Sequence, residues 1–140
     1  MHCSEALLHS CALKNFRNHT DISFSFSPQI NGIYGLNAYG KTNLLEALYF
    51  LCTGRSFRTK HLAHLIRKGE EFFYLHASFC KENFSQEISL SFNGKEKNLS
   101  YQKKIYPHFQ PLLGLIPMVL ILPEDIQILV GEPEIRRLFL

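Results

Sequence analysis

The chain has 140 residues, of which 46% are hydrophobic and 13% aromatic, enough for one domain with a sizeable core and unlike a disordered composition. A formal net charge of +3 stops well short of a polybasic tail, so charge permits nucleic acid as a partner without requiring it. No apolar run approaches the ~18 residues of a membrane span, the N-terminus lacks the charged start and apolar core of a signal peptide, and the cysteines at 3, 11, 52 and 80 show no CxxC spacing, so a cytoplasmic protein with reduced thiols is expected.

Residues 6–13 (ALLHSCAL) read as a first strand, and KNFRN after them as a turn that exposes Arg17 beside Phe16. In DISFSFSP, Ile22, Phe24 and Phe26 alternate with Ser23, Ser25 and Ser27, which predicts a strand with one buried and one wet face, ended at Pro28. Residues 30–34 (INGIY) predict a strand that delivers the chain to GLNAYGKT, residues 35–42.

That octapeptide fits GxxxxGK[ST], a pattern that chance places in on the order of one in 200 chains of this length at average composition. The motif needs a strand before it and a helix after it. TNLLEALYFLC supplies the helix, with Leu44, Leu45, Leu48, Leu51 and Cys52 on one stripe and Gly54 as its stop. Gly35 and Gly40 let the backbone curl so that successive N–H groups face an anion, and the helix N-terminus adds partial positive charge. Lys41 would reach the β- and γ-phosphates and the Thr42 hydroxyl would ligate Mg²⁺.

RSFRTKHLAHLIRKG follows, with Arg55, Arg58, Lys60, Arg67 and Lys68 around Leu62, Leu65 and Ile66. It is the densest positive segment of the chain and reads either as a solvated helix face or as a contact for nucleotide phosphates or a nucleic-acid backbone. His61 and His64 are three apart, but no nearby Cys or carboxylate completes a metal set, so they read as solvent-facing. From residue 72 onward FFYLHASF, QEISLSF and NLSYQKK predict an antiparallel meander, with an Asn93-Gly94 hairpin signal between the last two. Residues 107–117 hold three of the six prolines and read as a loop or broken helix. MVLIL, residues 118–122, predicts a short buried strand stopped by Pro123, and the tail predicts a helical turn, a break at Gly131 and the start of another helix.

Phosphate-loop hydrolases hold Mg²⁺ with a second, acidic residue at the end of a buried strand. The chain has two aspartates; Asp21 precedes the loop, and Asp125 is separated from MVLIL by Pro123 and Glu124. The acidic ligand is therefore missing from the pattern.

LKNFRN, GLNAYGKTNLLEALYFL, GRSFRT and LPEDIQILVGEPEIRRLFL together resemble the RecF family, DNA replication and repair proteins with an ATPase head like that of ABC-type and SMC proteins. The resemblance implies an α/β phosphate-loop head with mixed and antiparallel strands around a strand–loop–helix unit. It also implies that residues 1–140 are an N-terminal part of that head, with the helical lobe, signature loop and acidic Walker B strand lying beyond Leu140. MVLIL would lead to the lobe; ABC-type heads place a Gln after this strand, whereas Glu124 and then Gln127 follow here. Relatives often have Gly and a small or polar residue where Ala38 and Tyr39 stand.

By the same resemblance Gly35, Leu36, Asn37, Ala38, Tyr39, Gly40, Lys41 and Thr42 bind ATP, with Thr42 on Mg²⁺. Arg17 and Asn18 are candidates for contacts near the base or α-phosphate, and Arg55, Arg58 and Lys60 for contacts with DNA or phosphate. Family members bind single-stranded or gapped DNA, dimerise around ATP, and work with the RecO and RecR proteins in recombinase loading and the SOS response. A weak DNA-dependent ATPase is expected of the longer protein, and an inactive site in these 140 residues alone. The alternatives are a self-contained nucleotide kinase or GTPase, which would need an acceptor site and a second acidic motif, and a module with a degenerate loop, against which the intact Gly40-Lys41-Thr42 argues.

Overall fold

Period-two patterning sets the strands, and in the computed structural model, which describes residues 6–125, they build a six-stranded sheet. The strands are β1 (Leu7–Phe16), β2 (His19–Ser25), β3 (Phe73–Lys81), β4 (Phe84–Phe92), β5 (Lys97–Tyr101) and β6 (Lys104–Tyr106). All pairs are antiparallel, in the order β2-β1-β3-β4-β5-β6. Register carries the apolar set across the sheet in rows: Cys11 opposite Ala77 and then Ile88, and Leu13 opposite Leu75, Leu90 and Leu99. Every residue of these rows is buried. The intervening row of Ala12, His76, Ser89 and Ser100 lies on the other, partly exposed face.

Helix α1 (Lys41–Thr53) covers the apolar face, packing against β1, β3 and β4. Leu44, Ala47, Leu48 and Leu51 join the sheet rows in one core, and Phe16, Phe50 and Phe73 meet edge to face, with centroids 5.4 and 5.9 Å from Phe73. Each buried Leu or Phe contributes about 2 kcal/mol from area alone. The helix begins at Gly40 and ends at Gly54, whose φ of 72° lets its N–H bond Phe50 O at 2.8 Å. No described helix is long and apolar enough to cross a membrane.

Several expectations need correction. LKNF continues β1 instead of turning, so the turn is Arg17-Asn18 alone. Arg17 is largely buried there, because its guanidinium reaches an acidic partner on α1. Leu45 is 40% exposed, and Glu46, Ala47 and Phe50 take the inward places with Leu44, Leu48 and Leu51. The apolar side of β2 is only half covered because β2 is an edge strand: Phe24 and Phe26 are half-buried and Ile22 is exposed. NLSYQKK divides into β5 and β6 around Gln102 and Lys103, both at positive φ.

INGIY forms no strand and pairs with no described strand, leaving Ile30 and Tyr34 exposed. Within it the Asn31 side chain closes a local turn back to Ser27, accepting from Ser27 N at 2.7 Å and donating to Ser27 O at 2.9 Å. MVLIL likewise forms no strand and is unpaired among the described residues, with Val119 and Ile121 exposed. The basic segment forms one 3-10 turn, Leu62–Leu65, in place of a longer helix. Cys3, Gln127, the Gly131 break and the predicted final helix lie outside the described residues.

Candidate phosphate-binding site

Three left-handed positions shape the loop between INGIY and α1. Gly35 (φ 149°), Ala38 (φ 68°) and Gly40 (φ 92°) curl the chain so that it enters the helix directly at Lys41. Gly40 is required for a second reason: a Cβ there would lie 2.6 Å from Asn18 Oδ1 and from the His19 ring. The Lys41 ammonium folds back across the loop, donating to Gly35 O at 2.7 Å and Leu36 O at 2.8 Å. Two of its three donors are so engaged and one remains for a ligand. Thr42 is exposed in the first helical turn. Together with Asn37, Ala38, Gly40, Asn43 and Arg58, these two residues line a cleft of about 290 Å³.

The loop is fastened to the β1–β2 turn. Asn18 Nδ2 donates to Ala38 O at 2.9 Å, and His19 Nε2 lies 3.1 Å from Gly40 O, which fixes Nε2 as the protonated nitrogen. Asn43 Nδ2 donates to Asn18 Oδ1 at 2.8 Å, while Asn43 Oδ1 accepts from Arg58 Nη1 at 2.7 Å. Turn and basic segment thus meet through one asparagine of α1, and the turn itself holds the loop.

Beneath them lies Glu46, completely buried. Arg17 grips it with two bonds, Nε to Oε2 at 2.9 Å and Nη2 to Oε1 at 2.7 Å; Ser56 Oγ donates to Oε1 at 2.5 Å and Arg58 Nη1 to Oε2 at 3.1 Å. Burial alone would push the Glu46 carboxyl up, but the bonds from Arg17 and Ser56 and the charges of Arg17 and Arg58 outweigh it and hold the group below its usual value. Arg17 sits at φ 56°, a strained place for a side-chain-bearing residue. Four further anchors determine it: the two bonds to Glu46, Nη1 to His64 O at 3.0 Å, and its own N–H to Leu65 O at 2.8 Å.

Among the predicted site residues, Asn37, Ala38, Gly40, Lys41, Thr42 and Arg58 converge on the cleft, and Asn18 braces it from behind. Leu36 and Tyr39 are exposed on the loop, 71% and 72% respectively. Arg17 faces Glu46, which commits its guanidinium to the protein interior. Arg55 and Lys60 are exposed and do not line the cleft. Glu46, Asn43 and His19 escaped the sequence reading; an acidic residue inside the apolar stripe of α1 was the available signal for Glu46. Asp125 accepts from Leu122 N at 2.7 Å, closing a 3-10 turn. A larger hollow of about 480 Å³ beside β5 is lined by Lys97 and Phe109. That ammonium is taken by Gly54 O at 2.9 Å and lies over the rings of Phe50 and Phe109. The His61 and His64 rings lie with centroids 5.3 Å apart, tilted by 51°, and no described cluster of three or more His, Cys, Asp or Glu could hold a metal.

Comparison with known proteins bears on this geometry. The family model of the AAA domain matches residues 10–116. The DNA replication and repair protein RecF of Protochlamydia amoebophila is 44% identical over 95% of this chain, and that of Chlamydia trachomatis 43% identical over 94%. The chain spans 37% and 36% of the length of these two relatives. Two solved structures of the recombination mediator protein RecF in the RecFOR pathway, RecF-ATP and RecF-ATPrS, superpose with TM-scores of 0.83 and 0.85 at 33% and 32% identity. They cover 97% and 99% of this chain, which corresponds to 37% and 38% of theirs. The loop–helix unit read from GLNAYGKT and the antiparallel sheet beside it are thus those of an ABC/SMC-like phosphate-loop head that resembles RecF over nearly all of this chain, and the chain belongs to the AAA domain family.

Proposed function

We propose that this chain carries the ATP-binding half-site of a DNA replication and repair protein. The carrying observation is the loop of residues 35–42, whose Lys41 ammonium stands across its mouth on Gly35 O and Leu36 O, beside the Arg58 guanidinium. A triphosphate seated there would take the loop N–H groups, the positive end of α1, Lys41 and Arg58. Mg²⁺ would be held by the Thr42 hydroxyl and the phosphates, a fit to a hard cation that keeps several waters. When bound, the metal would neutralise charge on the terminal phosphates.

Residues 1–140 form the first part of an ABC-type head in this reading, and elements supplied from elsewhere in the longer protein and from a second ATP-bound copy complete the site. The longer protein binds single-stranded or gapped DNA and acts with RecO- and RecR-type partners, as a weak DNA-dependent ATPase. Support comes from the likeness to DNA replication and repair proteins RecF and to the solved RecF-ATP structure. Arg55 and Lys60, exposed beyond the cleft, are left to DNA; Asn18 acts on the nucleotide through the loop it braces.

Titration of ATP with Mg²⁺ against the full chain and its Lys41→Ala variant tests the reading. Loss of one charge-assisted contact predicts affinity at least about tenfold weaker. Equal affinities would exclude the loop as the site.

A further inference from the structure

We infer that Glu46 is a positioning residue: its buried carboxylate, clamped by Arg17, holds the Arg58 guanidinium at the phosphate cleft, so that recognition of a nucleoside triphosphate depends on a side chain that cannot touch it. The inference rests on the ATP reading above and names the device behind one of its contacts. Glu46 is 0% exposed, whereas the Arg58 side chain is 42% exposed and lines the cleft with Lys41 and Thr42. The carboxylate therefore acts only through what it holds.

Charge balance points the same way. Two guanidinium groups share one carboxylate, leaving one unit of positive charge uncompensated within the cluster. Arg17 is turned inward, with Nε, Nη1 and Nη2 all bonded to protein. Arg58 uses Nη1 alone, on Asn43 Oδ1 and Glu46 Oε2; among the described residues its Nε and Nη2 take no partner. The excess charge and the free donors thus belong to the same side chain, at the cleft. An arginine fixed on one edge presents the rest of its planar fork in a set direction, which suits phosphate oxygens. The segment around it is fixed as well, since Ser56 Oγ bonds Glu46 and accepts from the N–H groups of Arg58 at 2.9 Å and Thr59 at 3.1 Å.

Positioning and plain electrostatics predict opposite signs for Glu46→Gln. Removing a negative charge near an anion site should tighten nucleotide binding by Coulomb attraction. A glutamine, however, offers one acceptor oxygen where Arg17, Ser56 and Arg58 use two, so the clamp must lose an arm. The expected result is ATP affinity about tenfold weaker, the lower end for one charge-assisted hydrogen bond, with a smaller loss for ADP. In an Arg58→Ala background Glu46→Gln should bring no further loss.

Nitrogen NMR of the arginine side chains in the full, ligand-free chain, followed by calorimetric titration with Mg²⁺-ATP and Mg²⁺-ADP, decides the matter. The wild type should give an Arg58 guanidinium signal with hindered rotation, and Glu46→Gln should release it. Free rotation of Arg58 in the wild type overturns the proposal without recourse to any variant. So does Glu46→Gln binding ATP as tightly as wild type or more tightly, or weakening ATP and ADP alike. Wild-type protein that binds no ATP would refute the ATP reading, and the clamp would still stand or fall on the NMR signal.

Discussion

Gly54→Ala is a sharp test of how the segment carrying Arg58 is set in place. Gly54 caps α1 at φ 72°, and a Cβ there would collide with Phe109 Cγ and lie 2.9 Å from Phe109 Cβ. Rotation about χ1 can swing Cγ aside but leaves Cβ where it is, so residues around 109 must move. The left-handed backbone costs an L-residue about 1 kcal/mol, and overpacking at this half-buried contact adds about 2 kcal/mol. The predicted loss is therefore about 3 kcal/mol. Gly69→Ala is the internal control, because Gly69 has φ 90° with nothing within 4 Å of its would-be Cβ. It should cost only the backbone part, about 1 kcal/mol. Urea unfolding of the full chain, followed by far-ultraviolet circular dichroism, measures both. Equal losses for the two variants would mean that Phe109 does not pack on the helix end, and the reasoning would fail.

Glu46 has its carboxyl held below the ordinary value of 4.5, so its contribution to stability is complete above that pH and vanishes as the pH falls through the lowered folded value; Glu46→Gln should flatten this acid limb of the unfolding profile. Burial raises the Cys11 thiol to about 12, with the neighbouring Cys52 adding to it, and burial raises Cys52 to about 11, so alkylation at pH 8 should be at least about a hundredfold slower at both than in urea, read by mass spectrometry. Leu75→Ala, at a fully buried centre of the sheet, should cost about 3 kcal/mol in denaturant unfolding. Replacing Glu82-Asn83 by Asn-Gly should stabilise the β3–β4 hairpin by about 0.5 kcal/mol, since both residues hold positive φ; a destabilised double variant would count against a primed turn there.

Legibility in the sequence followed the range of the interactions. The phosphate loop, its helix and most strands are local patterns, and they fold where GLNAYGKT, TNLLEALYFLC and the alternating runs predict. Glu46 was hidden because its burial depends on Arg17 and Arg58, one on the β1–β2 turn and one past the helix; without them a glutamate in that stripe has no reason to point inward. The turns at Glu82-Asn83 and Gln102-Lys103 carry no glycine, so left-handed geometry had no marker, and β6 went unseen with it. INGIY and MVLIL are apolar enough for strands, yet apolar content says nothing about whether a neighbouring backbone is there to pair with.

The pairing of β1 with β3 has a kinetic consequence. Strands β3 to β6 form a meander of neighbouring hairpins, whereas the β1–β3 ladder joins Lys14 to Tyr74 across the whole of the turn, loop, helix and basic segment. Closing so long an excursion is entropically slower than closing a hairpin. During refolding the meander should gain amide protection first, and the cleft at Lys41 and Arg58 should come into being only when β1 zips onto it, late and in one step. A ligand that recognises the cleft would then leave the rate of folding nearly unchanged and slow unfolding instead.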